Sequence, residues 1–297
     1  MRAWRAIGFA VVMSASIAWP CKAQSTSAAA PPAGGVTTRP VLSAEAMERF
    51  LLKGDITATI KVSKGVTKAR QVRMTDGTLT HDAQVQDVDI SLPIFEVDPK
   101  HTEVNFKDSY RYNIAGYRLS LLLGLDNVPM SVERTVDGKP SAVTWWIDDY
   151  MMEEGDRLKM KEKRYGPNTT RTLNYTNIMY VFDELIQNRD RNAGNAIWTT
   201  DWKLWMIDHT RAFRLGKDLL RPKALERCER TFYEKMKELN APRLSEVMGK
   251  TLTKDEITAL LARRDAIVKI LDAKIAEKGE PAVLYSMIGG SKTAGTQ

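Results

Sequence analysis

The stretch from Ile178 to Asp208 constrains the fold of this chain more than any other. It begins as an apolar run, NIMYVFDELIQ, in which Ile178, Val181, Phe182, Leu185 and Ile186 fall on one helical face. The next eight residues, NRDRNAGN, hold two arginines, an aspartate and three asparagines. AIWTT, Asp201-Trp202 and KLWMID follow, with the pattern of two short strands joined by a tight turn. Such a hairpin returns the chain on itself. Asp208, at its end, is therefore expected beside the loop that carries Asp190 and Asn195.

Three oxygen-bearing side chains meeting at one end of a hairpin suit Mg²⁺ or Mn²⁺. Both are hard cations that keep several waters and share a phosphate-bearing ligand. Zinc chemistry finds little support, because the chain has three histidines and two cysteines in all. An isolated D-x-x-x-x-N is an ordinary turn. The helix before it, the hairpin after it and Asp208 make it a candidate site for phosphoryl transfer or for metal-dependent hydrolysis of phosphoesters.

The N-terminus reads as an export signal over residues 1–23. MRAWR is basic, AIGFAVVMSASIAW is apolar but too short to span a bilayer, and CKA precedes Gln24. Cleavage there leaves Cys228 as the single thiol, with no disulfide possible and no transmembrane span. Residues 24–42, rich in Ala, Pro, Gly, Ser and Thr, form a flexible linker, and residues 286–297 a flexible tail. The formal charge of +7 includes Arg2, Arg5 and Lys22, so the exported part carries about +4, too little to argue for nucleic acid.

Between these ends the pattern changes once. Ser43 caps a helix ending at Gly54, and DITATIKV, ARQVRM and LTHDAQVQDVDI alternate as strands, the last two joined at Asp76-Gly77. Tyr110, Ile114, Tyr117 and Leu121 then mark a helix that stops at Gly124, and Asp137-Gly138 joins MSVERTV to SAVTWWID. The charged, turn-rich segment EEGDRLKMKEKRYGPN reads as a solvated connector, and helices dominate after it. Cys228 falls in a helical pattern, PKALERCERTFYEKMKEL.

VFDELIQNRDRNAGN…KLWMIDHTRAF resembles the signature of the atypical kinases: HipA-like bacterial kinases, phosphatidylinositol 3-/4-kinases and the secretory-pathway Golgi casein kinases. NIAGYRLSLLLGLDNVPMSVER is similar to a helix and strand of the last group. The resemblance implies an α+β, bilobal protein-kinase-like fold, with a β-rich N-lobe over 43–150 and a helical C-lobe over 151–285. It implies Asp190 as the catalytic aspartate, Asn195 and Asp208 as metal ligands, and TWWIDD, with Trp146 and Ile147, as the hinge wall against adenine. ATP would be the nucleotide, with a protein, lipid or small-molecule hydroxyl as acceptor.

One part of that pattern is missing. Kinases pair a β-strand lysine, which grips the α/β-phosphates, with a glutamate on the N-lobe helix. The resemblance puts Gln86 and Asn113 at those positions, two amides able to hydrogen-bond each other, and no lysine lies between Lys68 and Lys100. A displaced cation from Lys68, Arg70 or Arg73, a weak or specialised kinase, or a pseudokinase acting by conformation would each account for the exchange. His209 is expected to play a structural part beside Asp208, and Arg211 and Arg214 are candidates for phosphate or acceptor.

Overall fold

Ser43 starts the folded chain as anticipated: its Oγ accepts a hydrogen bond from the Ala46 amide at 3.2 Å, and helix α1 (Ala44–Lys53) ends at Gly54. The computed structural model describes residues 42–62, 69–98 and 101–287. The expected signal peptide, nearly all of the linker, Lys68 and most of the tail lie outside the described residues. Leu42 onward forms one compact unit.

Strands β1 (Asp55–Val62), β2 (Arg70–Thr75) and β3 (Thr80–Gln86) run antiparallel. The β2–β3 turn is held by Asp76, whose Oδ1 accepts from the amides of Thr78 and Leu79, and Gly77 supplies a φ of +88°. Two later strands, which are numbered β6 (Ser131–Val136) and β7 (Lys139–Trp145), turn at Asp137-Gly138, both at positive φ as a tight hairpin requires. The five strands form one sheet in the order β1-β2-β3-β7-β6. Val72, Met74, Ala83, Val85 and Val143 bury one of its faces in a core shared with Phe50 and Leu51 of α1. Strand alternation puts Gln71, Arg73, Gln84 and Gln86 on the other face.

The run from Leu79 to Ile90 is not one strand. The chain leaves the sheet after Gln86 and builds a separate hairpin, β4 (Asp89–Asp98) with β5 (His101–Ser109), before entering helix α2 (Arg111–Leu122). The alternation changes phase at the corner, where Gln86 and Asp87 stand together between Val85 and Val88, and no glycine or proline marks it. The corner is instead set by tertiary contacts, among them the Tyr110 amide donating to the Val88 carbonyl at 2.7 Å. The apolar stripe of α2 also holds only in part, since Leu121 is exposed. Its first turns, Tyr112 to Gly116, are buried all round because they lie between the sheet and the helical part.

The C-terminal part begins with β8 (Tyr150–Glu153) and α3 (Glu154–Lys159), followed by the long α4 (Thr169–Ile186). The hairpin β9 (Ala196–Thr199) and β10 (Leu204–Met206) adds to β8 in the order β10-β9-β8. Helices α5 (Arg230–Glu238), α6 (Ala241–Met248) and α7 (Lys254–Lys278) complete it, α7 opening with a Thr253/Glu256 capping box. Phe182, Leu185, Trp198, Met206, Phe232 and Leu260 lie in one buried core. The expected α+β division, β-rich first and helical after, is present.

Two local expectations need correction. Arg157 in the charged connector is buried, donating to Glu154 at 2.6 and 2.7 Å, and Glu154 also accepts from the Trp198 indole at 2.7 Å. Cys228 sits not in a helix but in a two-residue parallel pairing with Leu284. Burial pushes its thiol up, away from reactivity. No helix among the described residues is long and apolar enough to cross a membrane.

Candidate active site

Helix α4 ends at Gln187, whose φ of +49° turns the chain out of the helix and starts the polar loop. The loop is organised by Arg191. Its guanidinium pairs with Asp183, one turn back on α4, through Nε at 2.9 Å and Nη2 at 3.1 Å, and both side chains are almost fully buried. Nη1 donates to the carbonyls of Ile207, at 2.7 Å, and Asn195. Nη2 also meets His209 Nε2 at 3.1 Å. A guanidinium has only donors, so Nε2 accepts and the imidazole proton sits on Nδ1. Burial, with the nearby Arg191 charge, holds His209 well below its ordinary pKa and keeps it neutral. Sequence reasoning missed Asp183 and Arg191, although both stand in the quoted signature; no helical or strand spacing relates them.

The loop and the hairpin end converge as expected. The Ile207 amide donates to the Asn195 carbonyl at 3.1 Å, which places Asp208 directly beside Asn195. Asn195 donates from Nδ2 to the Asp190 carbonyl at 3.1 Å, which leaves its Oδ1 directed away from that carbonyl. Asp208 stands at φ +52° and accepts through Oδ1 from the Thr210 hydroxyl at 3.0 Å. Burial raises the Asp190 carboxyl above the usual range, the Arg211 cation opposes this, and the Asp208 charge adds to it.

Arg211 is the basic group that faces Asp190, Nη1 to Oδ1 at 3.7 Å. Its Nη2 is held at 3.0 Å by Glu103 of β5, which also pairs with Arg214 at 2.6 Å. Glu103 was not anticipated, because the hairpin that carries it was not. Since Arg211 lowers the Asp190 pKa, Arg211→Gln will move it upward. A carboxyl-carbon NMR titration should show Asp190 deprotonating at higher pH in the variant, and an unmoved or lowered midpoint would remove Arg211 from this role.

On the opposite wall, Asn113 Nδ2 donates to Gln86 Oε1 at 2.7 Å, both side chains buried. Asn113 Oδ1 accepts the His209 amide at 2.7 Å. That donor fixes the Asn113 amide, which in turn makes oxygen the Gln86 atom that faces it. Gln86 Nε2 is left buried with no partner among the described residues. The amides therefore link β3, α2 and the Asp208 loop without any charge. Arg73 does not reach this point: it pairs with Asp82 at 2.9 Å, four residues (about 13 Å) back along β3. Arg70 is paired with Asp137 at 2.7 Å.

Between the two parts lies a cavity of about 540 Å³. Trp146 and Ile147 line its connecting side, Ile197 and Ile207 its floor, and Gln84 and Lys61 its sheet side. Trp146 and Ile147 therefore lie on the wall of this cavity. A five-stranded sheet, with one helix leading to its fourth strand in sequence, lies over this cavity; Gly194 and Ile207, the chain neighbours of Asn195 and Asp208, line it, whereas Asp190, Asn195 and Asp208 are not among its lining residues. The described residues form an α+β fold, a β-rich part followed by a helical part. Lys61, on β1, is exposed and has no ion pair among the described residues, so it is a cation available to the cleft. It lies outside the Lys68–Lys100 window in which a lysine was sought.

No protein-family model matches the chain, and no curated protein matches it. Among solved structures, the crystal structure of a Helicobacter pylori proinflammatory kinase, CtkA, is similar to it, with a TM-score of 0.44 at 10% identity. The match covers 77% of this chain and 98% of that one. Among the described residues no three His, Cys, Asp or Glu side chains already surround a metal-sized point. The donor set nevertheless fits a hard cation shared with a ligand: the Asn195 Oδ1 is turned free, and Asp208 presents a second carboxylate oxygen.

Proposed function

We propose that this chain is an exported atypical kinase-like phosphotransferase that binds ATP with Mg²⁺ or Mn²⁺ and phosphorylates a hydroxyl acceptor. The observation that supports this is the convergence of Asp190, Asn195 and Asp208 next to Gly194, Ile197 and Ile207, which line the cavity. Trp146, Ile147, Ile197 and Ile207 would hold the base, and Lys61 and the unpartnered Gln86 Nε2 would face the phosphates. Asn195 and Asp208 would hold the cation, which when bound neutralises phosphate charge. Asp190 would orient the acceptor hydroxyl. As its oxygen bonds the γ-phosphorus, the bond to the β,γ-bridging oxygen breaks, ADP leaves, and the hydroxyl proton passes to the Asp190 carboxylate. Arg211, beside Asp190, would receive a negatively charged part of the acceptor.

The test is calorimetry of Mn²⁺–ATP binding to the full chain. Asp208→Ala should weaken it by at least about tenfold, since it removes a ligand held in place by Thr210. Equal affinity in the variant sinks the proposal. A second reading is favoured by one observation, the 2.7 Å Gln86–Asn113 hydrogen bond, which closes the lobe without a phosphate-gripping cation. On that reading the chain is a pseudokinase that binds nucleotide and acts on a partner by conformation. Wild-type ATP turnover abolished by Asp190→Ala would defeat it.

A further inference from the structure

We infer that Asp108 is a third oxygen ligand for the cation of this cleft, contributed by the β4–β5 hairpin. The inference rests on the metal-nucleotide reading above and adds a residue that the resemblance does not supply. Asp108 is 4% exposed, yet its Oδ1 has no hydrogen-bond partner among the described residues. A buried carboxylate oxygen is expensive to leave unmet, and groups of this kind mark a place where something else binds.

Its position says what that is. The amide of the next residue, Ser109, donates to the Thr210 carbonyl at 2.8 Å, which docks the end of β5 on the turn after Asp208. The Thr210 hydroxyl donates to Asp208 at 3.0 Å and also lies against Asp108, but its one proton cannot serve both carboxylates. Asp108 is moreover close enough to Asp208 and Asp190 that both charges act on it, after burial, to raise its pKa; Arg211 offsets them only in part. Arg211 itself is shared with Glu103. Three carboxylates, Asp108, Asp190 and Asp208, act on one another beside a wall where Gln86 and Asn113 meet without any charge. Phosphate cannot enter such a field unless a cation comes with it. The cation would take Asp108 Oδ1, Asp208 and the Asn195 amide oxygen, and complete its shell with water and phosphate oxygens.

Mn²⁺ binding to the full chain, followed by the loss of the free-ion EPR signal, tests this with Asp108→Asn, Asp208→Asn and the exposed control Asp156→Asn. Asp108→Asn should weaken Mn²⁺ by at least about tenfold, as Asp208→Asn should and Asp156→Asn should not. Without metal, Asp108→Asn should melt no lower than wild type at pH 7, because it removes a buried charge beside like charges. The rise in Tm that Mn²⁺ gives the wild type should be lost. Unchanged Mn²⁺ affinity in Asp108→Asn with loss in Asp208→Asn overturns the inference and leaves the nucleotide reading standing; unchanged affinity in both overturns the two together. Should the Asn variant not fold, the wild type decides alone. Mn²⁺ must broaden the carboxyl carbon resonances of both Asp108 and Asp208, and a sharp Asp108 beside a broadened Asp208 refutes the assignment.

Discussion

Replacing Arg191 by methionine will destabilise the fold by about 3–5 kcal/mol, more than any other single substitution in the loop. The change leaves Asp183, 1% exposed, without its cation and with only the Asn188 amide, at 3.2 Å, in its place. It also strips donors from the Asn195 and Ile207 carbonyls and from His209 Nε2. The cost is that of a broken buried pair and is not a measure of what the pair contributes. Arg191→Met with Asp183→Leu should therefore recover part of the loss, because no uncompensated charge then remains inside. Urea denaturation of the three variants measures both quantities. A single-variant loss under about 1 kcal/mol would mean that Arg191 does not brace the loop. The functional consequence follows from the same contacts: with Arg191 gone, the segment carrying Asn195 and the one carrying Asp208 lose their common anchor, and Mn²⁺–ATP affinity should fall although Arg191 bonds neither the Asn195 side chain nor Asp208.

Which parts of this site could be read beforehand follows from how local their causes are. Turns such as Asp76-Gly77 and Asp137-Gly138 depend on positive φ, at Gly77 in the first and at both residues in the second, and the residue types alone announce it. Asp190, Asn195 and Asp208 were legible because a short hairpin returns the chain within twenty residues. The 2.7 Å Gln86–Asn113 contact was legible only through the resemblance, which set the two amides at positions that face each other. What stayed hidden arises from contacts between segments far apart. The one trace of the β3–β4 corner is the phase break at Gln86-Asp87, with no glycine or proline to announce a turn, and Glu103 and Asp108 were hidden with the hairpin that it opens. Arg157 looked like solvated charge because the partner that buries it, Glu154, is itself buried under Trp198. Both of the residues through which the hairpin acts on the site, Glu103 on Arg211 and Asp108 beside Asp208, are therefore readable from the fold alone.

Restoring Gln86→Lys together with Asn113→Glu should turn the uncharged wall into a phosphate clamp, and the two single variants should differ in a way that tests the geometry. Asn113 Oδ1 is occupied by the His209 amide, so the atom it shows to residue 86 is a donor. A lysine placed there alone meets donor with donor, buried, and should cost about 3 kcal/mol or more. Glutamate alone is milder: one of its oxygens can keep the His209 amide, and Gln86 can rotate its amide so that the unpartnered Nε2 becomes the donor. In the double variant the new charges meet each other, and a coupling energy of about 1–3 kcal/mol in favour of the pair is expected. Lysine and glutamate are each longer than the amides they replace, by roughly one methylene apiece, so α2 must move outward and the double should remain about 1–3 kcal/mol less stable than wild type. Against that loss, the ammonium should raise ATP turnover by about a hundredfold if the cleft is otherwise competent, the magnitude typical of one oriented donor on a developing charge. Singles that add without coupling, and a double that gains no turnover, would mean that Gln86 and Asn113 do not occupy a lysine–glutamate site.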